Sequence, residues 1–357
     1  MKFSPFIKDL LLKGREENVF SVAAASVIWG DEVFFATVSD EKLISVTPET
    51  LFDVASLTKP LVTASLIFQP ILEKKLSLST TLGEIVEDSR ETLWENTTVL
   101  QLLNHSSGLP SYRFYFLNFI NKGGRLEKGD KSKCNRLVRM ILDERMEYQP
   151  GSRSSYSDFG YILLGKVVEK VYSATLESAW MGWKERFDLD GMIFNPPDGK
   201  YIPPTEILGY RGPVRGEVHD EHAFICGGVA GHAGLFASLK SISRYVADFM
   251  KNFSGEDIFF PSSFLREILS LRIENSTWLP GWDTPSPRRS QAGEKAGRNV
   301  IGHLGYTGCS IWMDLDKWVA GILLTNRTFP TRFNQKIKFY RPYFYDKIWE
   351  SNLKNFL

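Results

Sequence analysis

Hydrophobic and polar positions follow two rhythms along this chain. Ser21–Trp29 is a near-continuous apolar run, then Gly30-Asp31, then a second run, Glu32–Val38. A two-residue Gly-Asp link between such runs predicts a β-hairpin. Near the far end, Cys309–Met313 and Trp318–Thr325 flank Asp314–Lys317 and predict another. Between them the period is helical. Leu57–Leu72 reads as one helix with Pro60 in its first turn, where a missing N–H costs little. Thr98–Asn104 is a short helix ending in the loop His105–Pro110, and Phe159–Val171 is a longer one. Ile242–Phe253 puts Ile242, Tyr245, Val246, Phe249 and Met250 on one face. Met1–Gly14 is amphipathic, with Phe6, Ile7 and Leu10 to Leu12 among Lys8, Asp9 and Lys13. Asp283–Arg298, rich in Pro, Gly, Ser and charge, predicts a mobile loop beside His303.

Strands at both ends and helices between them imply a mixed α/β (α+β) fold. One antiparallel sheet, built from the two chain ends and flanked by helices, carries an inserted helical lobe. The expectation is a single domain over 1–357, its α/β lobe from about 1–56 and 235–357 and its helical lobe about 57–234.

Composition narrows the function. The 357 residues are 43% apolar and 24% charged, which excludes disordered and fibrous classes. Lys and Arg number 43 against 42 acidic residues, a net charge of +1, so nothing suggests a nucleic-acid partner. No apolar run reaches the roughly 18 residues of a membrane span, and the N-terminus lacks the marks of a secretory signal. Cys134, Cys226 and Cys309 are odd in number, widely spaced and outside CxxC pairs. That argues against a disulfide framework and for a reducing, cytoplasmic setting, with a periplasmic one as the alternative if a signal was removed.

The common hydrolase, nucleotide and metalloprotease signatures are missing. What remains is Ser56-Leu57-Thr58-Lys59. On a helix, i and i+3 share a face, so the lysine amine reaches the serine hydroxyl, a poor nucleophile unaided. The same spacing recurs at Ser39 and Ser351, but only Ser56 opens an apolar helix. Taken alone, Ser56 and Lys59 read as a helix cap and a solvated lysine. Two further stretches change that. Tyr156-Ser157-Asp158 runs from a polar loop into an apolar helix, and Tyr156 is a base if nearby cations lower its pKa. Gly302-His303-Leu304-Gly305-Tyr306 precedes a predicted strand, where glycines admit a substrate and free N–H groups hold an oxyanion.

Ser-x-x-Lys, Tyr-x-Asp and His-x-Gly in this order resemble the serine β-lactamase and penicillin-binding superfamily. The branch is that of class C β-lactamases, D-alanyl-D-alanine carboxypeptidases and esterases. Phe52–Ala55, Leu102–Pro110, Gly227–Phe236 and Leu323–Arg327 extend the likeness over roughly residues 20 to 330. The resemblance implies a β-lactamase/transpeptidase-like fold with a cleft between the lobes. It makes Ser56 the acylated nucleophile, Lys59 its proton relay and Tyr156 the general base, with the N–H groups of Ser56 and Tyr306 as oxyanion hole.

Two positions depart from the family pattern. Asp158 stands where Asn is usual, and His303-Leu304-Gly305 replaces Lys-Thr-Gly. Both make the cleft less positive, which favours a neutral ester or amide over substrates bearing a carboxylate, unless Arg298 or Arg327 supplies the charge. A carboxypeptidase or β-lactamase, and a catalytically silent binding protein, are the competing readings. The partner is a small molecule or peptide, the oligomeric state is left open, and the chemistry calls for no cofactor. His219-Asp220-Glu221-His222 has metal-like spacing, but the surrounding glycines predict a loop and no metal is needed. His105 and His232 read as structural hydrogen-bonding residues, and Cys309 as a small buried side chain.

Overall fold

A computed structural model describes residues 3–351. In chain order the strands are β1 (Ala23–Trp29), β2 (Glu32–Val38), β3 (Leu51–Asp53), β4 (Met192–Phe194), β5 (Glu206–Leu208), β6 (Gly212–Val214), β7 (Leu235–Ser238), β8 (Val300–Leu304), β9 (Ser310–Asp314) and β10 (Val319–Thr325). The main sheet runs β2-β1-β10-β9-β8, antiparallel throughout. The chain ends therefore meet in its middle, with Ala23 opposite Thr325 and Trp29 opposite Val319.

β1 is apolar along its length because both faces of the sheet are covered. Ala23, Ala25 and Val27 point into a core closed by the helices Phe3–Glu16 and Ile337–Glu350, through Ile7, Leu10, Leu11, Phe344 and Ile348. Each of the larger side chains here, fully buried, contributes about 1.5–3 kcal/mol. Ala24 and Ile28 point the other way, into the larger core shared with the helix Leu239–Ser254 and the inserted segment. The amphipathic N-terminus is thus a sheet-covering helix; Met1 and Lys2 lie outside the described residues.

Both predicted hairpins, and the helices Val99–Leu103, Asp158–Tyr172 and Leu239–Ser254, form where the pattern placed them. Four expectations need correction. The segment 57–72 is not one regular helix: a 3-10 turn, Ala55–Leu57, leads to a π-helical stretch, Lys59–Ala64, and only Ser65–Leu72 is α. Pro60 and Pro70 each remove an i→i−4 donor, and the Tyr172 hydroxyl donates to the Leu66 carbonyl that Pro70 leaves unmatched. The middle is not purely helical either, since β3, β7 and β4 form a second sheet and β5–β6 a ribbon. Strands of three or four residues are too short to show a period.

Third, the Asp283–Arg298 segment is tied down at several points. Asp283 exchanges backbone hydrogen bonds with Gly302, Trp349 Nε1 donates to the Ala292 carbonyl, and Lys295 N–H to Asp346. Fourth, Cys134 and Cys226 form a disulfide across 92 residues, leaving only Cys309 free, and buried as expected. An odd count hid the pair, and the cysteine argument for a reducing compartment loses its premise. Among the described residues no helix is long and apolar enough to cross a membrane.

Candidate active site

Ser56 is the middle residue of the 3-10 turn that follows β3, and the buried Asp53 fixes the junction between them. Its carboxylate accepts the N–H groups of Ala55 (2.8 Å) and His219 (2.6 Å), and its carbonyl accepts the Thr307 hydroxyl (2.7 Å). These bonds hold Ala55 at φ +49°, a left-handed conformation that a non-glycine residue adopts at a cost of order 1–3 kcal/mol. The Thr58 hydroxyl, donating to the Ala55 carbonyl (2.6 Å), closes the turn. Ser56 is left half-buried at the mouth of a tight bend.

Lys59 lies one turn on, with no solvent exposure. Its Nζ donates toward four acceptors: Ser56 Oγ at 3.1 Å, Tyr156 OH at 2.6 Å, Asp158 Oδ1 at 2.7 Å and the His232 carbonyl at 3.2 Å. An ammonium has three N–H bonds, so at any instant one acceptor goes without. Burial holds the Lys59 pKa below its ordinary value, and the Asp158 charge opposes that shift. The Tyr156 hydroxyl is pushed well above its ordinary 10, first by burial and then by the Asp158 carboxylate. That is opposite to the shift a phenolate base requires, so Tyr156 rests as a neutral phenol.

The helix Asp158–Tyr172, capped by Ser157, carries Tyr156 and Asp158 at its entrance. The Ser157 N–H donates to His105 Nδ1 (3.1 Å), and the His105 ring lies 4.7 Å from that of Tyr156. His105 thus has the hydrogen-bonding role its loop suggested. Trp278, which the sequence reading missed, packs on Tyr156 (5.1 Å), His105 (4.7 Å) and His303 (5.9 Å). Nothing in the spacing around Trp278 marks it.

His303 belongs to β8, on the opposite wall, its ring 6.1 Å from Tyr156. Burial, reinforced by the Lys59 charge, pushes its pKa down to about 3, so the imidazole is neutral. The Leu304 carbonyl 2.9 Å from Nδ1 can only accept, which places the proton on Nδ1 and leaves Nε2 as a bare acceptor with no partner.

Gly305 follows, and a Cβ there would stand 2.5 Å from the Val54 carbonyl, so only glycine lets this wall close on the serine turn. Tyr306 opens the turn Gly305–Gly308, its side chain exposed at the rim. The buried Arg341 donates to the Gly305 and Cys309 carbonyls (2.8 and 2.9 Å), fixing that turn from the C-terminal helix.

The structure thus gathers Ser56, Tyr156 and Asp158 around Lys59 Nζ, with the His303 ring beside Tyr156 and Gly305, followed by Tyr306, against the serine turn. It does not bring Arg298: two residues before β8, it lies at the strand end away from Gly305, about 23 Å along the chain at 3.3 Å per residue. Arg327 is close, but its guanidinium is engaged by the Tyr306, Arg332 and Asn334 carbonyls.

Known proteins resemble this chain to different depths. A protein of Escherichia coli (strain K12) with the provisional name D-alanyl-D-alanine carboxypeptidase is 28% identical over 327 residues, which cover 84% of this chain and 74% of that protein. The octameric penicillin-binding protein homologue from Pyrococcus abyssi has a TM-score of 0.74 at 21% identity, over 99% of this chain and 79% of that one. EstCE1, described as a hydrolase with promiscuous acyltransferase activity, has a TM-score of 0.73 at 18% identity, over 96% and 98%. At such identities the two solved structures speak to the fold. The family model described as Beta-lactamase matches residues 8–341. A match running from the N-terminal helix into the C-terminal one is no shared fragment, and the chain belongs to the beta-lactamase family.

Proposed function

We propose that the protein is a serine hydrolase that cleaves a small neutral ester or amide through an acyl-enzyme on Ser56. The observation that carries this reading is the single lysine nitrogen within 3.1 Å of both Ser56 Oγ and Tyr156 OH. In the reacting form Lys59 is a neutral amine, the state its burial favours, and Ser56 Oγ attacks the substrate carbonyl while its proton passes to that amine, directly or through the Tyr156 hydroxyl. Tyr156 is a relay here, neutral before and after. The N–H groups of Ser56 and Tyr306 face the developing oxyanion, worth about 3–4 kcal/mol per donor in such sites. The relay then returns the proton to the leaving group, and water repeats the sequence to free Ser56.

Substrate charge is argued from the same atoms. Asp158 offsets the Lys59 charge, His303 is neutral, and the Arg327 guanidinium is engaged by backbone carbonyls. Lys59, the cation bonded to Ser56 Oγ, is already paired with Asp158, so a substrate carboxylate gains little net attraction beside the serine. A second reading, peptidase or β-lactamase activity, is favoured by the name of the Escherichia coli relative. Side-by-side hydrolysis of p-nitrophenyl butyrate, a D-alanyl-D-alanine peptide and a chromogenic cephalosporin decides between them. The proposal expects the ester to be cleaved with the highest kcat/KM, and preferred turnover of either anionic substrate refutes it.

A further inference from the structure

Three side chains outside the proposed hydrolytic machinery converge beside it. Asp220, His222 and His232 each bring one ligand-type atom, and these atoms all lie within 4.8 Å of one another. Asp220 precedes the short helix Glu221–Ile225, His222 is on that helix, and His232 comes from the glycine-rich segment before β7. The stretch that the sequence assigned to a loop is therefore partly helical, and the third member lies ten residues beyond the motif. The sequence tetrad itself is divided, because His219 pairs with Glu206 (2.7 Å) and Glu221 with Arg332 (2.7 Å).

His222 is the residue that needs an explanation. It is fully buried, and neither ring nitrogen has a hydrogen-bond partner. A buried polar atom without a partner costs about 1–3 kcal/mol, and native structures seldom leave two on one ring. The rings of Tyr112 (4.8 Å) and Phe159 (5.9 Å) hold the imidazole in place without satisfying it. His232 has the same deficit at Nδ1, while its Nε2 lies 2.7 Å from Asp220 Oδ1. The Asp220–His232 pair and the Asp220 bond to the Ala223 N–H account for a structural carboxylate. They do not account for His222.

We infer that Asp220, His222 and His232 bind one divalent transition-metal ion of the zinc class, with a fourth position open to solvent. Two imidazoles and a carboxylate suit zinc and its neighbours, whereas calcium and magnesium require an all-oxygen set. Tetrahedral bonds of about 2.0–2.1 Å place ligand atoms roughly 3.3 Å apart. The present spacing brackets that value, so side-chain shifts of about an ångström close the site. Asp220, its side chain one-fifth exposed, is the way in. The ion would clamp a segment whose carbonyls already hold the helix of the candidate nucleophile: His232 accepts from Lys59, and Gly231 from Thr63 (2.6 Å).

The test needs no substrate, so its outcome is independent of the reading of Ser56. The full-length, untagged chain is freed of metal with a chelator, then titrated with Zn(II) by calorimetry and with Co(II) by visible absorption. The expected result is one ion per chain and the intense d–d bands of four- or five-coordinate Co(II). His222→Gln and Asp220→Asn, each checked for folding by circular dichroism, should each weaken binding by more than about 100-fold, beyond what outer-shell substitutions cost. Failure of the wild-type chain to bind either ion stoichiometrically overturns the inference, as does stoichiometric binding without those bands. Unchanged affinity in a folded variant does the same. Should neither variant fold, the wild-type stoichiometry and Co(II) spectrum decide.

Discussion

Replacing Asp158 by Asn keeps the shape of the second motif and removes the charge that sets the cleft's electrostatics. Asp158 Oδ1 is 2.7 Å from Lys59 Nζ, which is 3.1 Å from Ser56 Oγ, so the carboxylate lies within about 6 Å of the attacking oxygen. A substrate carboxylate a few bonds from the scissile carbonyl would stand roughly 8 Å from Asp158. At an effective dielectric constant of about 20–40, that repulsion is about 1–2 kcal/mol. The substitution should therefore shift discrimination between an anionic and a neutral ester of equal acyl size by about 5- to 30-fold toward the anion, since 1.36 kcal/mol is tenfold in rate. The assay is kcat/KM for p-nitrophenyl butyrate and p-nitrophenyl hemisuccinate with both enzymes. Taking the ratio within each enzyme cancels losses from misfolded protein, which matters because breaking a buried ion pair costs about 3–5 kcal/mol. A ratio unchanged within twofold would refute the electrostatic role given to Asp158.

Three further outcomes are expected. His303 titrates at about 3 in the folded chain against 6.5 when unfolded, so the unfolded state binds the extra proton between those values. Stability should fall as pH drops from 6.5 toward 3, and chemical denaturation of His303→Gln across that window should show a flatter decline than the wild type. Gly305→Ala pushes a Cβ into the Val54 carbonyl next to the serine turn, and a displacement of about 1 Å there should cost about 100-fold in kcat/KM. Ester hydrolysis at wild-type rate by that variant would contradict the role given to this contact. Losing the Cys134–Cys226 link frees a long loop, worth up to about 4–5 kcal/mol on chain-entropy grounds. The Cys134→Ser variant should melt several degrees lower, and its melting point should no longer respond to reductant.

What the sequence made legible was what is local or periodic. The hairpins at both ends read correctly because their runs are long and their turns short, and the Ser56–Lys59 and Tyr156–Asp158 stretches stood out as candidates by short spacings, their side chains meeting at Lys59 Nζ. What escaped depends on long-range contact. Cys134 and Cys226 meet only when the helix Lys131–Leu142 packs beside Glu221–Ile225, and no spacing records that. Asp53 reads as an ordinary strand residue until the His219 and Thr307 bonds exist. Trp278 and Arg341 reach the site from surroundings with no motif at all. The direction of the Tyr156 shift was also hidden: Lys59 shares its pocket with Asp158, and burial and the Asp158 charge together raise the pKa.

The central claim is that Ser56 carries the acyl group. Acid-quenching the protein during p-nitrophenyl butyrate turnover, then measuring intact mass and mapping peptides, tests it most directly. The account predicts one added butyryl group on the peptide containing Ser56, absent in Ser56→Ala together with turnover. A butyryl group on another residue, or full turnover in Ser56→Ala, would contradict it.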